Sequence, residues 1–298
     1  VLVLRCPSGG PLPHALSVNF SGRTYRFVQY GIKETGYIDY AAAQDLALQQ
    51  RPKLVVCGSS SYPREYDIRR LRVIADSVGA TLMLDLSHEA GLIAGGALSN
   101  PVPDADVVTM SLDKTLRGPF GAVVLSRGHL AQRLDRGIHP GTQSSFPLRR
   151  LTDATHALIL TQSAAFQRYA SRVIANAKVL EQCFRQGDVP MVTGGTDKHY
   201  VVLDVRKRFG ISGVDAERAL ESIGVLTNRQ TLPDDPPKLA DDTGGLRLGT
   251  ACATSPRSLA NVFNVHWTVL FAALASQSGQ ATRFPTALVR TTLRPDRP

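Results

Sequence analysis

Short β-branched runs alternate with amphipathic helical stretches through the first half of the chain, and this alternation limits the fold more than any other feature of the sequence. The runs are "RTYRFVQYG" (23–31), "KLVVCGSS" (53–60), "TLMLDLS" (81–87), "DVVTMSL" (106–112) and "GAVVLSR" (121–127). Between them, "IDYAAAQDLALQQ" (38–50) is rich in alanine and leucine. "YDIRRLRVIADSVG" (66–79) places Ile68, Leu71, Ile74, Ala75 and Val78 on one face and stops at Gly79. Strand–helix–strand units of this kind predict crossover helices packed on a largely parallel sheet, an α/β architecture.

From about Pro147 the character changes. "LTDATHALILTQSAAFQRYASRVIANAKVLEQCF" is helical in pattern with no strong breaker before Gly187, and it reads as a bridge between two domains. Beyond it come a strand (198–206), a helix (214–224) and another strand, "GGLRLGT" (244–250), which together form a smaller α/β unit. The expected division is 1–150 for the larger domain, 151–275 for the linking helices and small domain, and 276–298 for a polar, proline-punctuated tail read as disordered.

Charge and cysteine usage narrow the function classes. The 298 residues carry a formal charge of +9, but the 34 Lys and Arg residues are scattered without a run of five or six, so a solvated arginine-rich surface fits better than a nucleic-acid groove. Cys6, Cys57, Cys183 and Cys252 lie far apart, with no CxxC or His/Cys spacing suited to zinc. Free thiols in a reducing cytoplasm are expected. No segment approaches the ~18 apolar residues of a membrane helix, and "VLVL" is too short for a signal core. The chain opens at Val1 on a strand-like run with nothing before it to pair with, so it reads as the rear part of a longer protein.

In an open α/β sheet, ligands collect beyond the carboxyl ends of the strands. Three expected strand ends carry polar side chains there: Ser59–Ser61, Asp85 with His88, and Ser111 with Lys114. An amine in partly apolar surroundings loses proton affinity and can condense with a carbonyl. A carboxylate can hold a heterocyclic nitrogen protonated. That pair suits pyridoxal phosphate, with a Schiff-base lysine and an acidic partner for the ring. Spacing alone leaves a second reading open, in which Lys114 is a surface lysine and Asp85 caps a helix.

The order and wording of the segments add to this. "SGRTYRFVQYGI", "IDYAAAQDLALQQRPKLVVCGSSSYPR", "GATLMLDLSHEAGLIAGGALSNPVPDADVVT", "DKTLRGPFGA", "VIANAKVLEQCF", "VTGGTDKHYVVLDVR" and "GGLRLGT" resemble the serine hydroxymethyltransferase family from about Val1 to residue 255. The resemblance implies a fold type I pyridoxal-phosphate transferase, with a large mixed-sheet domain lacking its N-terminal part and a smaller C-terminal α/β domain. It implies Lys114 as the Schiff-base lysine, Asp85 as the partner of the pyridine nitrogen, His88 beside the ring and Ser60 near the cofactor's phenolic oxygen. Ser111 belongs to the same cofactor edge. Arg247 would grip the amino-acid carboxylate through a bidentate contact. The chemistry implied is cleavage and formation of the Cα–Cβ bond of serine or threonine, the released carbon passing to tetrahydrofolate. A homodimer with shared sites is also implied, in which Ser144 and Ser145 would offer hydroxyls to a neighbour's cofactor phosphate.

Several positions depart from the family pattern. "SGGPLPHA" (8–15) carries Pro11 where the family has a ring-stacking histidine, Asp113 replaces the histidine before the lysine, Phe120 replaces an arginine, and Gln230 replaces an asparagine associated with folate. The front segment of the family, with a catalytic glutamate, tyrosines and a phosphate loop, does not occur in this sequence. These changes keep two alternatives beside the folate-dependent enzyme: a folate-independent threonine aldolase or transaldolase using an aldehyde acceptor, and a non-catalytic truncated paralogue.

Overall fold

The computed structural model describes residues 1–10, 19–58, 60–145, 147–235, 243–254 and 273–277. Pro11 and most of the expected tail lie outside the described residues.

The opening apolar run does find partners, though they come later in the chain. Strand β1 (Leu2–Leu4) pairs in parallel with two others, β2 (Val28–Tyr30) and β3 (Leu54–Gly58), so it lies inside the sheet with all three residues buried. The front of the expected strand 23–31 is instead a short helix, α1 (Phe20–Thr24). The register explains this: β1 covers only Val28–Tyr30, so the residues before them have no ladder to join. Helix α2 (Tyr40–Gln50) starts where Asp39 Oδ1 accepts the Ala42 amide, and helix α3 (Ile68–Ser77) where Asp67 Oδ1 accepts that of Arg70. Leu71, Ile74 and Ala75 of α3 are buried, with Ile68 and Val78 packed against the same core, so the expected face is the one that docks.

Strand β4 (Thr81–Asp85) follows β3 in parallel, then helix α4 (Ala90–Ala94), strand β5 (Val107–Ser111) parallel to β4, and strand β6 (Ala122–Ser126) antiparallel to β5. The order β2-β1-β3-β4-β5-β6 makes a six-stranded, mostly parallel sheet. Leu82 and Leu84 are fully buried in it, each contributing about 1.5–3 kcal/mol by leaving water.

Helices α5 (Gly128–Ile138) and α6 (Leu148–Leu160) come next, followed by α7 (Ala164–Gln186). The expected single helical stretch is thus interrupted at residues 161–163. Thr161 and Ser163 turn their hydroxyls back onto the Leu158 and Leu160 carbonyls, and Ser163 Oγ accepts the Phe166 amide to restart the helix. Strand β7 (Tyr200–Asp204), helices α8 (Val205–Phe209) and α9 (Gly213–Glu221), and strands β8 (Asn228–Gln230) and β9 (Gly245–Gly249) follow, with an antiparallel sheet ordered β7-β9-β8. Asp204 ends the expected strand early because its Oδ1 accepts the Lys207 amide and caps α8.

Candidate active site

Because β3, β4 and β5 are parallel neighbours, their carboxyl ends lie along one edge. Register sets Gly58 opposite Asp85, and Asp85 opposite Thr109. Gly58 has φ of +144°, and a β-carbon there would lie 2.4 Å from the Asp85 carbonyl oxygen. Only glycine lets the two strand ends come this close. The Asp85 carboxylate is held locally: Oδ1 accepts the Ser87 amide at 3.1 Å and the Ser87 hydroxyl at 2.5 Å. Ser87 Oγ in turn accepts the Ser111 amide at 3.2 Å, and Ser111 Oγ donates to the Ser87 carbonyl at 3.4 Å. Ser87 was not singled out in the sequence, although an aspartate two residues before a serine is the signature of an Asx turn.

The loop carrying Lys114 is fastened to the turn carrying His88. Thr115 Oγ1 donates to the His88 carbonyl at 2.9 Å and accepts the Gly91 amide at 3.0 Å. A β-carbon on Gly91 would fall 2.1 Å from the Thr115 carbonyl oxygen, so this contact also requires glycine. The loop closes through the Arg117 amide on the Lys114 carbonyl (3.0 Å), with Arg117 in the left-handed region at φ 59°. The Lys114 side chain is exposed, as is Asp113, and no ion pair joins them. The partly apolar surroundings expected for the amine are therefore not supplied by the described residues around it.

His88 stacks on His199, with ring centroids 5.7 Å apart and planes inclined by 17°, and both rings meet the Tyr200 ring edge-on. Burial is the main cause that pushes His88 down to about 2, followed by the charges of Lys114, the neighbouring His199, Arg247 and Lys198. Burial likewise lowers His199 to about 3, helped by Lys198, Arg247 and Lys114. Both imidazoles are neutral near neutral pH and present uncharged aromatic faces.

This has a consequence for stability. The unfolded chain takes up protons on both imidazoles below about pH 6.5 and the folded chain does not, so stability is present above that value and is lost as pH falls. Between about pH 5.5 and 4 each imidazole is expected to withdraw about 1.4 kcal/mol per pH unit. Urea unfolding at a series of pH values should show this slope, and His199→Phe should roughly halve it.

Arg247 lies in the smaller sheet, where register pairs it with Val202 and Asn228. Its guanidinium reaches across to the segment that follows β3, where Nη1 donates to the Ser60 carbonyl, while Nη2 donates to Asn228 Oδ1 at 3.0 Å. The guanidinium carbon sits 5.6 Å from the Tyr200 ring centroid, and burial lowers the proton affinity of the group. Ser60 therefore meets Arg247 through its backbone. Gln230 is buried, with its amide nitrogen on the Thr231 carbonyl at 3.2 Å, and Phe120 is exposed. Ser144 and Ser145 lie in an exposed connection between α5 and α6.

Asp85 and Ser111 are thus tied together through Ser87 at the strand ends, and Lys114 and Arg247 both lie close enough to His88 for their charges to act on it. Their chemistry fits the reactive end of pyridoxal phosphate, with an amine, a carboxylate and a neutral imidazole face around it. The serines expected at the phosphate are not part of this set. Among the described residues there is no cluster of metal-ligating side chains, and no helix is long and apolar enough to cross a membrane.

A mostly parallel sheet closed by one antiparallel strand, with polar groups collected at its carboxyl edge, is the architecture of fold type I pyridoxal-phosphate-dependent enzymes. The family model described as "Serine hydroxymethyltransferase" matches residues 1–265. The chain is also 39% identical over 256 residues to a serine hydroxymethyltransferase of Mesoplasma florum, a match covering 86% of this chain and 62% of that relative. The chain belongs to the serine hydroxymethyltransferase family, and it spans less than two thirds of the length of this relative.

Proposed function

We propose that the chain works with pyridoxal phosphate on the Cα–Cβ bond of β-hydroxy amino acids, interconverting serine and glycine with tetrahydrofolate as the one-carbon acceptor. The observation that carries this is the convergence of Lys114, Asp85 and His88 at the carboxyl ends of β4 and β5, facing Arg247 of β9. The bound cofactor supplies an electron sink for the amino-acid α-carbon. Asp85, fixed by Ser87, would hold the ring nitrogen protonated. Lys114 would carry the cofactor at its amine and accept or return a proton there. His88, neutral and stacked, would cover the ring face without adding charge. Arg247 would orient the substrate by its carboxylate.

Other parts of this reading have their own support. Two domains suit the separate apolar cores, one built on residues 2–108 and another on 180–274, with Ala154 and Phe166–Val173 of the linking helices packed on the larger one. Exposed Ser144 and Ser145 suit a homodimer in which they serve the neighbouring copy. Four free cysteines, with Cys252 exposed, suit a reducing cytoplasm.

The family match favours the folate-dependent reaction over an aldehyde-only aldolase or a non-catalytic relative. The deciding assay compares glycine formed from serine with tetrahydrofolate against cleavage of threonine without folate. Folate-dependent turnover of serine is expected to exceed threonine cleavage. Threonine cleavage with no response to folate would overturn the folate assignment.

A further inference from the structure

Beside the stacked imidazoles is a buried ion pair with no part in the chemistry above. Lys198 Nζ lies 2.7 Å from Glu89 Oε1, with side-chain exposures of 1% and 4%. The two are close enough to attract strongly, yet neither Nζ nor either carboxylate oxygen has a hydrogen-bond partner of good alignment. Separation and alignment disagree here, and the contact is best described as Coulombic. Lys198 is also steered by aromatic faces, with Nζ 3.8 Å from the Tyr66 centroid and 5.7 Å from that of Tyr62, the two rings being stacked on each other. Its backbone amide donates to Thr196 Oγ1 at 3.0 Å.

A buried pair of this kind is a poor source of stability, because desolvation consumes most of the attraction, and apolar residues of similar volume often serve as well or better. What such a pair does supply is a fixed relation between the elements that carry it. Glu89 follows His88 in the larger sheet's β4–α4 turn; Lys198 precedes His199 just before β7, which pairs with the Arg247 strand. The stacked imidazoles are thus the immediate chain neighbours of the pair.

We infer that Glu89 and Lys198 are positioning residues: their ion pair clamps the His88 turn against the His199 segment and so sets the spacing between the Lys114–Asp85 edge and Arg247. The link to the amino-acid site rests on the pyridoxal reading above; the link to the imidazole stack does not.

The test uses the full chain and three variants, Glu89→Gln, Lys198→Met and the double Glu89→Leu/Lys198→Met. Each single change breaks the pair and should lower the thermal midpoint by about 10 °C. The double variant, with no buried charge left, should recover most of that loss. Against this restored stability, two readouts should still move. In cofactor-free protein, the ring resonances of His88 and His199 should lose the ring-current shifts that their stacking produces. In protein loaded with pyridoxal phosphate, the dissociation constant for glycine should rise about tenfold. A stable double variant that keeps both the imidazole resonances and the glycine affinity would overturn the inference. If the wild-type chain develops no lysine-dependent cofactor band, the pyridoxal reading is what has failed, and the cofactor-free resonances still decide whether the pair holds the stack.

Discussion

Lys114→Ala should fold like the wild-type chain and yet show no visible absorption band when pyridoxal phosphate is added. The side chain is exposed and makes no ion pair among the described residues, so its truncation removes little packing. The loop itself is fixed by Thr115, Gly91 and the Arg117 amide, none of which needs the amine. Far-ultraviolet circular dichroism and the urea midpoint should therefore match the wild type. Any turnover of serine should fall by a factor on the order of 10³ or more, because the group that carries the cofactor is gone. The second amine near the imidazoles supplies an internal control. Lys198 is buried and engaged by Glu89, so Lys198→Met should retain the band where Lys114→Ala loses it. A band that survives Lys114→Ala and disappears in Lys198→Met would move the cofactor to the buried amine. A folded wild-type chain without a band would remove pyridoxal chemistry from it altogether.

Local pattern was enough to read β3 to β6 and both crossover helices, because each carries its own signal. Asp39 and Asp67 stand at helix starts, and the apolar face of Ile68–Val78 repeats at helical spacing. What could not be read locally depended on pairing. Leu2–Leu4 looked partnerless because its partners, Val28–Tyr30 and Leu54–Gly58, come later in the chain. Residues before Val28 have strand-like composition but no ladder to join, and Arg23 and Thr24 end a short helix instead. The interruption at Thr161–Ser163 is made by ordinary residues whose hydroxyls compete for backbone carbonyls, with no proline or glycine to announce it. At the site, motif residues were legible because they stand at strand ends. Ser87, Thr115 and Gly91 were passed over because they act on Asp85, His88 and the Lys114 loop through contacts that only the folded chain creates. The exposure of Lys114 is one of the two readings its spacing leaves open: the apolar flanks in sequence belong to β5 and β6. Glu89 and Lys198 lie far apart in the chain, and nothing in either segment advertises the other.

Arg247→Lys should separate the two jobs that the guanidinium holds. Its planar fork donates at once to the Ser60 carbonyl after β3 and to Asn228 on β8, while its central carbon lies 5.6 Å from the Tyr200 ring centroid. A lysine keeps the charge but can reproduce neither the fork nor the stacking. If Arg247 receives the amino-acid carboxylate, the loss of bidentate geometry should raise KM for serine by about 100-fold, corresponding to roughly 2.7 kcal/mol at 298 K. The cofactor band should remain, because Lys114 and Asp85 are on other elements. A smaller fall in kcat is expected, since the carboxylate contact orients the substrate as well as binding it. Stability should change less than in a glycine substitution at Gly58, where backbone meets backbone, because the Ser60 carbonyl released by the shorter reach of lysine can be hydrated. Steady-state kinetics beside a urea titration distinguishes the possibilities. A large rise in KM with a near-native unfolding midpoint assigns Arg247 to the substrate. An unchanged KM with a lowered midpoint would make it a strut between the two sheets, and the carboxylate would then have to be held by another cation of the site.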